Sequence, residues 1–195
     1  MPTKDRRATD VDRVLQSLGA LPAPRSRPAL VLVAGLPGTG KSQFSRELTK
    51  RTNAVILVSD AVRRLLFERP LYSWLESSRV FAALHRAVEK LLEAGVSCIV
   101  DATSLAEAYR RPLYDIADKW GAKLIVVEVT APEEVVVARL SKRASSPDNL
   151  SDADVAVYER MRPNWEPISR EHVVVDTSKR TDEAADAIAR GMESE

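Results

Sequence analysis

Residues 33–42 read VAGLPGTGKS. Gly35, Gly38 and Gly40 crowd a short turn, and Lys41 and Ser42 follow directly. The segment GLPGTGKS fits the spacing G-x-x-x-x-G-K-[ST] in full. Before it lies ALVLVA (29–34), a continuous apolar run of the kind that forms a strand buried on both faces. After it, residues 41–51 carry a helical pattern. Strand, glycine turn and helix in that order build an anion cradle. Glycines reach backbone angles closed to other residues, so successive N–H groups turn inward. The positive end of the following helix adds to their field. Lys41 is placed to reach the β- and γ-phosphates of a nucleotide, and the Ser42 hydroxyl to ligate Mg²⁺. The expected nucleotide contacts are Gly35, Pro37, Gly38, Thr39, Gly40, Lys41, Ser42 and Gln43.

Working outward, the same kind of apolar run recurs at AVILVS (54–59), VSCIV (96–100), KLIVVEV (123–129) and HVVVD (172–176). Helical patterns lie between them, at 61–68, 78–94, 106–120 (with a break expected at Pro112), 132–143 and 151–161. The last of these opens on a capping-box-like Ser151 and Asp154. A final helix begins at Thr181. Strand and helix in alternation predict an α/β fold: a three-layer P-loop NTPase architecture with a five-stranded parallel sheet, helices on both faces and a helical lid. Right-handed crossovers bring every strand's C-terminal end to one edge, where ligands bind. Residues 9–19 form a short amphipathic helix, followed by the proline-rich LPAPRSRP. Residues 1–28 therefore read as an N-terminal helix and linker, either leaning on the main domain or belonging to a partner. Residues 29–195 read as the catalytic domain, with a lid at about 139–165.

Composition narrows the setting. In 195 residues, 29 basic and 28 acidic side chains nearly cancel, so no whole-molecule attraction to nucleic acid or an anionic membrane is expected. The lone cysteine, Cys98, sits inside an apolar run and reads as a buried hydrophobe. No apolar stretch approaches the roughly 20 residues that span a bilayer, and the charged N-terminus lacks a signal-like core. A soluble, cytoplasmic protein is the expectation. His85, His172 and the scattered Trp74, Trp120 and Trp165 suggest neither a metal site nor a stacking platform.

The other strand ends decide what becomes of a bound nucleotide. The second strand runs into SDAVRR. Asp60 fits a general base that takes a proton from an acceptor hydroxyl, with Arg63 one turn on; equally, Ser59 or Asp60 caps the helix. The third strand ends in CIVDATS, which puts Asp101 where a carboxylate supports Mg²⁺, unless it too is a turn residue. Thr103 and Ser104 read as helix caps. Arg139 and Arg143 share a helix face at i and i+4. The polar ASSPDNLSDAD after them suits a mobile lid whose arginines clamp the transferring phosphoryl group.

The ordered set GLPGTGKS, SDAVRR, LLEAGVSCIVDATS, Arg110–Arg111, ARLSKR, SDADVAVYERMRPNWEP and HVVVDTS resembles the small P-loop kinases of the AAA_33 or zeta-toxin-like type. That group includes the 5′-kinase domain of polynucleotide kinases, and gluconate kinases are relatives. The resemblance covers roughly residues 29–178. It implies a phosphotransferase that uses ATP and Mg²⁺, with Asp60 as base and Arg63 on the acceptor side. Arg139 or Arg143 would stabilise the phosphoryl group, and Ser42 and Asp101 would hold the metal. The expected partners are a nucleotide and a hydroxyl-bearing substrate, with a lean to a small molecule. A polynucleotide 5′-hydroxyl is the alternative acceptor, and an ATP-dependent regulatory switch or a toxin-like kinase the alternative role. Fold and phosphate machinery leave the acceptor open.

Overall fold

The computed structural model describes residues 9–143 and 153–194. Its elements are α1 (Asp10–Ser17), β1 (Ala29–Ala34), α2 (Lys41–Arg51), β2 (Val55–Val58), α3 (Ser59–Leu66), α4 (Trp74–Glu93), β3 (Cys98–Asp101), α5 (Glu107–Lys119), β4 (Lys123–Thr130), α6 (Glu133–Arg143), α7 (Val155–Met161), β5 (Val173–Asp176) and α8 (Asp182–Glu193). The five strands form one parallel sheet in the order β2-β3-β1-β4-β5. β1 lies at the centre and every one of its residues is wholly buried, as its unbroken apolar sequence demands.

Alternate residues of β1 serve opposite layers. Leu30, Leu32 and Ala34 face a core shared with Val62 of α3, Val80 and Leu84 of α4, and Leu113 of α5. Ala29, Val31 and Val33 face a second core with Phe44 and Leu48 of α2 and Ile188 and Met192 of α8. This is the strand period of two, read on both faces. A third small cluster gathers Val136 and Leu140 of α6 with Tyr158 of α7, against Leu36.

The N-terminal helix joins the first core. Val14 is fully buried there. Arg13 donates to the carbonyl of Leu65 at the end of α3. Asp10 accepts two hydrogen bonds from Arg79 of α4, at 2.6 and 2.8 Å.

Three local expectations need correction. α5 runs unbroken through Pro112. A proline removes one helical hydrogen bond, and here the buried face of Arg110, Leu113, Tyr114 and Ala117 holds the helix together across it. α4 begins earlier than its apolar periodicity suggests, at Trp74, because the Ser73 hydroxyl accepts from the Glu76 N–H and starts the helix. α7 begins at Val155 rather than 151, on Asp154, which accepts from the Val157 N–H at 2.8 Å; Ser151 lies outside the described residues.

Candidate active site

In parallel register Val33 of β1 and Val58 of β2 both stand beside Asp101 of β3. The strands therefore end together, and the glycine turn, the start of α3 and the loop after β3 meet at one edge.

The turn is a tight, enclosed loop. Gly38 and Gly40 have φ of 79° and 95°. A side chain at Gly35 would stand 2.4 Å from the Val129 carbonyl oxygen, so only glycine permits this approach. The Gly35 N–H donates to the Thr103 carbonyl at 3.3 Å, which ties the loop to the end of β3. Lys41 Nζ donates to the Leu36 carbonyl across the loop at 2.9 Å, and Thr39 Oγ1 donates to the same oxygen at 2.8 Å. The helix α2 starts on Gly40 with no side-chain cap. Its first N–H groups thus have no side-chain acceptor, as an anion cradle requires.

Asp101 sits beside this loop, 2% exposed. Burial raises its pKa against the opposing pull of Lys41 and of the neighbouring Ser42 hydroxyl; the Asp60 charge raises it further. One oxygen, Oδ2, is buried without a hydrogen-bond partner. An orphaned carboxylate oxygen, a neighbouring hydroxyl and an adjoining phosphate cradle are a hard-oxygen donor set that fits Mg²⁺. Among the described residues no group of three or more His, Cys, Asp or Glu is placed to hold a metal alone.

Asp60 lies in the first turn of α3, whose N-cap is Val58 and whose N-terminus has no side-chain cap. Neither Ser59 nor Asp60 is the cap that the sequence also allowed. Arg63, on the next turn, is 7% exposed. Its Nη2 donates to Ser77 Oγ at 3.1 Å, its Nη1 stands 3.6 Å from Glu76 Oε2, and its guanidinium lies 4.7 Å from the Tyr72 ring centre. Its Nε and Nη1 have no hydrogen-bond acceptor. Tyr72 holds a left-handed φ of 54°, an unfavourable setting for an aromatic residue.

Arg139 is committed to the loop's flank. It donates to Thr177 Oγ1 and O at 2.7 and 2.8 Å, while Thr177 Oγ1 donates to the Thr39 carbonyl at 2.6 Å. Arg143 closes α6, but its side chain, like residues 144–152 of the expected lid, lies outside the described residues.

Several site features had no role in the sequence reading. Glu128, Thr130, Tyr158 and Trp165 line a cavity of about 110 Å³ with Gly35, Leu36 and Thr39. Glu128 also faces His172, 3.3 Å from its Nε2. Thr103 and Ser104 cap nothing: α5 is capped from afar, its Glu107 N–H donating to Glu166 Oε2 at 2.8 Å, and Ser104 takes a φ of 47° with its hydroxyl buried and unpaired.

The sequence profile of AAA_33, an AAA domain, matches residues 30–168. The chain belongs to the AAA_33 family. Among curated proteins, an L-seryl-tRNA(Sec) kinase of Methanococcus maripaludis is 28% identical over 127 residues, 62% of this chain and 48% of that protein. The chain spans about half or less of the length of the curated relatives it matches. Among solved structures, Kti12 of Chaetomium thermophilum, in complex with ADP-AlF3, shares the fold at a TM-score of 0.67 and 18% identity, over 84% of this chain and 98% of that one. A gluconokinase of Sinorhizobium meliloti superposes at 0.61 with 22% identity, over 87% and 96%. This AAA_33 member is thus a P-loop protein related to kinases.

Proposed function

We propose that the protein is an ATP- and Mg²⁺-dependent kinase that moves the γ-phosphate to the hydroxyl of a small molecule. The observation that carries this reading is the convergence of two carboxylates of different character on one phosphate loop. Asp101 is buried beside Ser42, whereas Asp60 stands in the uncapped first turn of α3, close enough for its charge to act on Asp101.

In this reading the loop amides and Lys41 hold the phosphates, and Ser42 and Asp101 hold Mg²⁺, which supplies charge neutralisation when bound. Asp60 takes the proton from the acceptor hydroxyl. The acceptor oxygen then bonds to the γ-phosphorus as the bond to the β,γ-bridging oxygen breaks and ADP leaves. Arg63 orients the acceptor. Arg139 braces the loop through Thr39 and Thr177, a positioning role, and the charge-balancing role of a lid arginine goes to Arg143. Catalysis is then mostly positioning and electrostatics.

A specific observation favours a second acceptor class. Trp74 is 76% exposed, and the exposed Tyr72 ring lies against Arg63, with Arg64 and Arg69 close by in sequence. Such a mixture of rings and cations suits single-stranded nucleic acid. A screen for labelled γ-phosphate transfer should therefore pair sugars, nucleosides and antibiotics with 5′-hydroxyl oligonucleotides. Transfer to oligonucleotides alone, lost in Trp74→Ala, selects the second class. Asp60→Asn is expected to keep nucleotide binding and lose about 10²–10⁴-fold in transfer. Lys41→Ala is expected to weaken nucleotide binding about 10–100-fold, the worth of a charge-assisted contact. Equal transfer by Asp60→Asn and its parent would leave a nucleotide switch as the better reading.

A further inference from the structure

Arg110 heads the described side chains in volume among those fully buried, at 0% exposed. A guanidinium withdrawn from water is costly unless its geometry is used, and the transfer reaction leaves Arg110 without a part. Its Nη2 donates to the Glu166 carbonyl at 2.6 Å. Its Nε stands 3.2 Å from Glu107 Oε2, and its guanidinium carbon lies 5.4 Å from the Trp165 ring centre. Glu166 answers in kind. Its N–H donates to the Leu105 carbonyl at 3.0 Å, and its carboxylate accepts from the Glu107 N–H.

The strap after α7 is thereby fastened to the loop that follows β3. That loop also accepts the Gly35 N–H through Thr103, and at its centre stands Ser104 in a left-handed conformation. Strain of this kind persists only where neighbours over-determine the backbone. Here the phosphate loop holds one side of Ser104 and the strap holds the other. Trp165, next to the pinned Glu166, walls the cavity beside Gly35 and Leu36.

We propose that Arg110 is a positioning residue for the transfer: it locks Trp165 and Glu166 to the loop after β3, so that strap, Ser104 and phosphate loop form one rigid unit around the reacting phosphate. The catalytic consequence rests on the kinase reading; the locking of the strap does not.

The test uses the full chain with Trp74→Phe and Trp120→Phe, leaving Trp165 as the sole indole. Arg110→Met, Arg110→Lys and Glu166→Ala are compared with this parent by acrylamide quenching of Trp165, by affinity for MgATP and by γ-phosphate release at saturating ATP. In Arg110→Met, Trp165 becomes open to quencher and γ-phosphate release falls about tenfold or more, while affinity for MgATP is little changed. Arg110→Lys, which keeps a donor for the Glu166 carbonyl, recovers part of both. Should Arg110→Met fail to fold, substitution of the exposed Glu166 by Ala is expected to shift both readouts in the same direction. Unchanged quenching, or an opened Trp165 with unchanged phosphate release, overturns the proposal. Asp60→Asn separates the two ideas: it lowers transfer about 10²–10⁴-fold if the kinase reading holds, and leaves Trp165 shielded whether or not it does.

Discussion

Asp101 shows how a single residue trades stability for chemistry. Burial raises its pKa, outweighing Lys41 and Ser42. A carboxylate whose folded pKa is raised binds protons more readily when folded, so its contribution is most favourable below the ordinary value of 3.8 and is lost as pH rises through the folded value. Above that folded value the cost of the ionised form is fully present. Asp101→Asn is therefore expected to raise the Tm of the nucleotide-free protein in a thermal melt. The same variant should lose the extra stabilisation that Mg²⁺ adds to bound nucleotide in the parent. Asp101 was legible from its place after an apolar run. Arg110 was not read as a site residue, although its signal was there: it shares a helical face with Leu113, Tyr114 and Ala117 at spacings of three, four and seven. A charged residue on an apolar face raises a question that periodicity alone does not ask.

At the scale of elements, the phosphate loop was the most readable part, because its glycines answer to local geometry. Gly35→Ala would drive a Cβ against the Val129 backbone oxygen, which cannot rotate aside. The expected loss is about 3 kcal/mol, measured by urea unfolding, together with weaker nucleotide binding. The errors at other elements share one cause. Pro112, the late start assigned to α4 and the caps assigned to Thr103 and Ser104 were judged from their apolar spacing and immediate neighbours. α5 is capped by Glu166, from the far side of α7, and its proline is carried by a buried face. α4 starts on a cap, Ser73, that stands ahead of the apolar pattern. Partners of these kinds leave no trace in hydrophobic spacing.

For the molecule as a whole, layers and strand count were legible because short apolar runs alternate with helical patterns, and β1 and β3 are buried throughout, as a sheet covered on both faces requires. Strand order was not, since the crossover rule gives handedness and not sequence of neighbours. The place of α1 was also undecided by the sequence. It lies outside the family match at 30–168, yet Val14 is part of the main core and Arg13 and Asp10 reach α3 and α4. Among the described residues, no helix is long and apolar enough to cross a membrane.

Cys98 lies at the heart of this sheet, paired in register with Leu30 and Val55, fully buried, its thiol pushed up to about 12. An alkylating reagent can meet the thiolate only when β3 parts from its neighbours. The rate of covalent labelling therefore clocks the opening of the sheet. Nucleotide at about 100 times its Kd should slow that clock about 100-fold. An acceptor that binds the folded protein should slow it as well, so the one thiol in the chain becomes a reporter with which unknown acceptors can be fished from a mixture. Labelling that proceeded at the same rate with and without saturating nucleotide would show that β3 opens independently of the loop it supports.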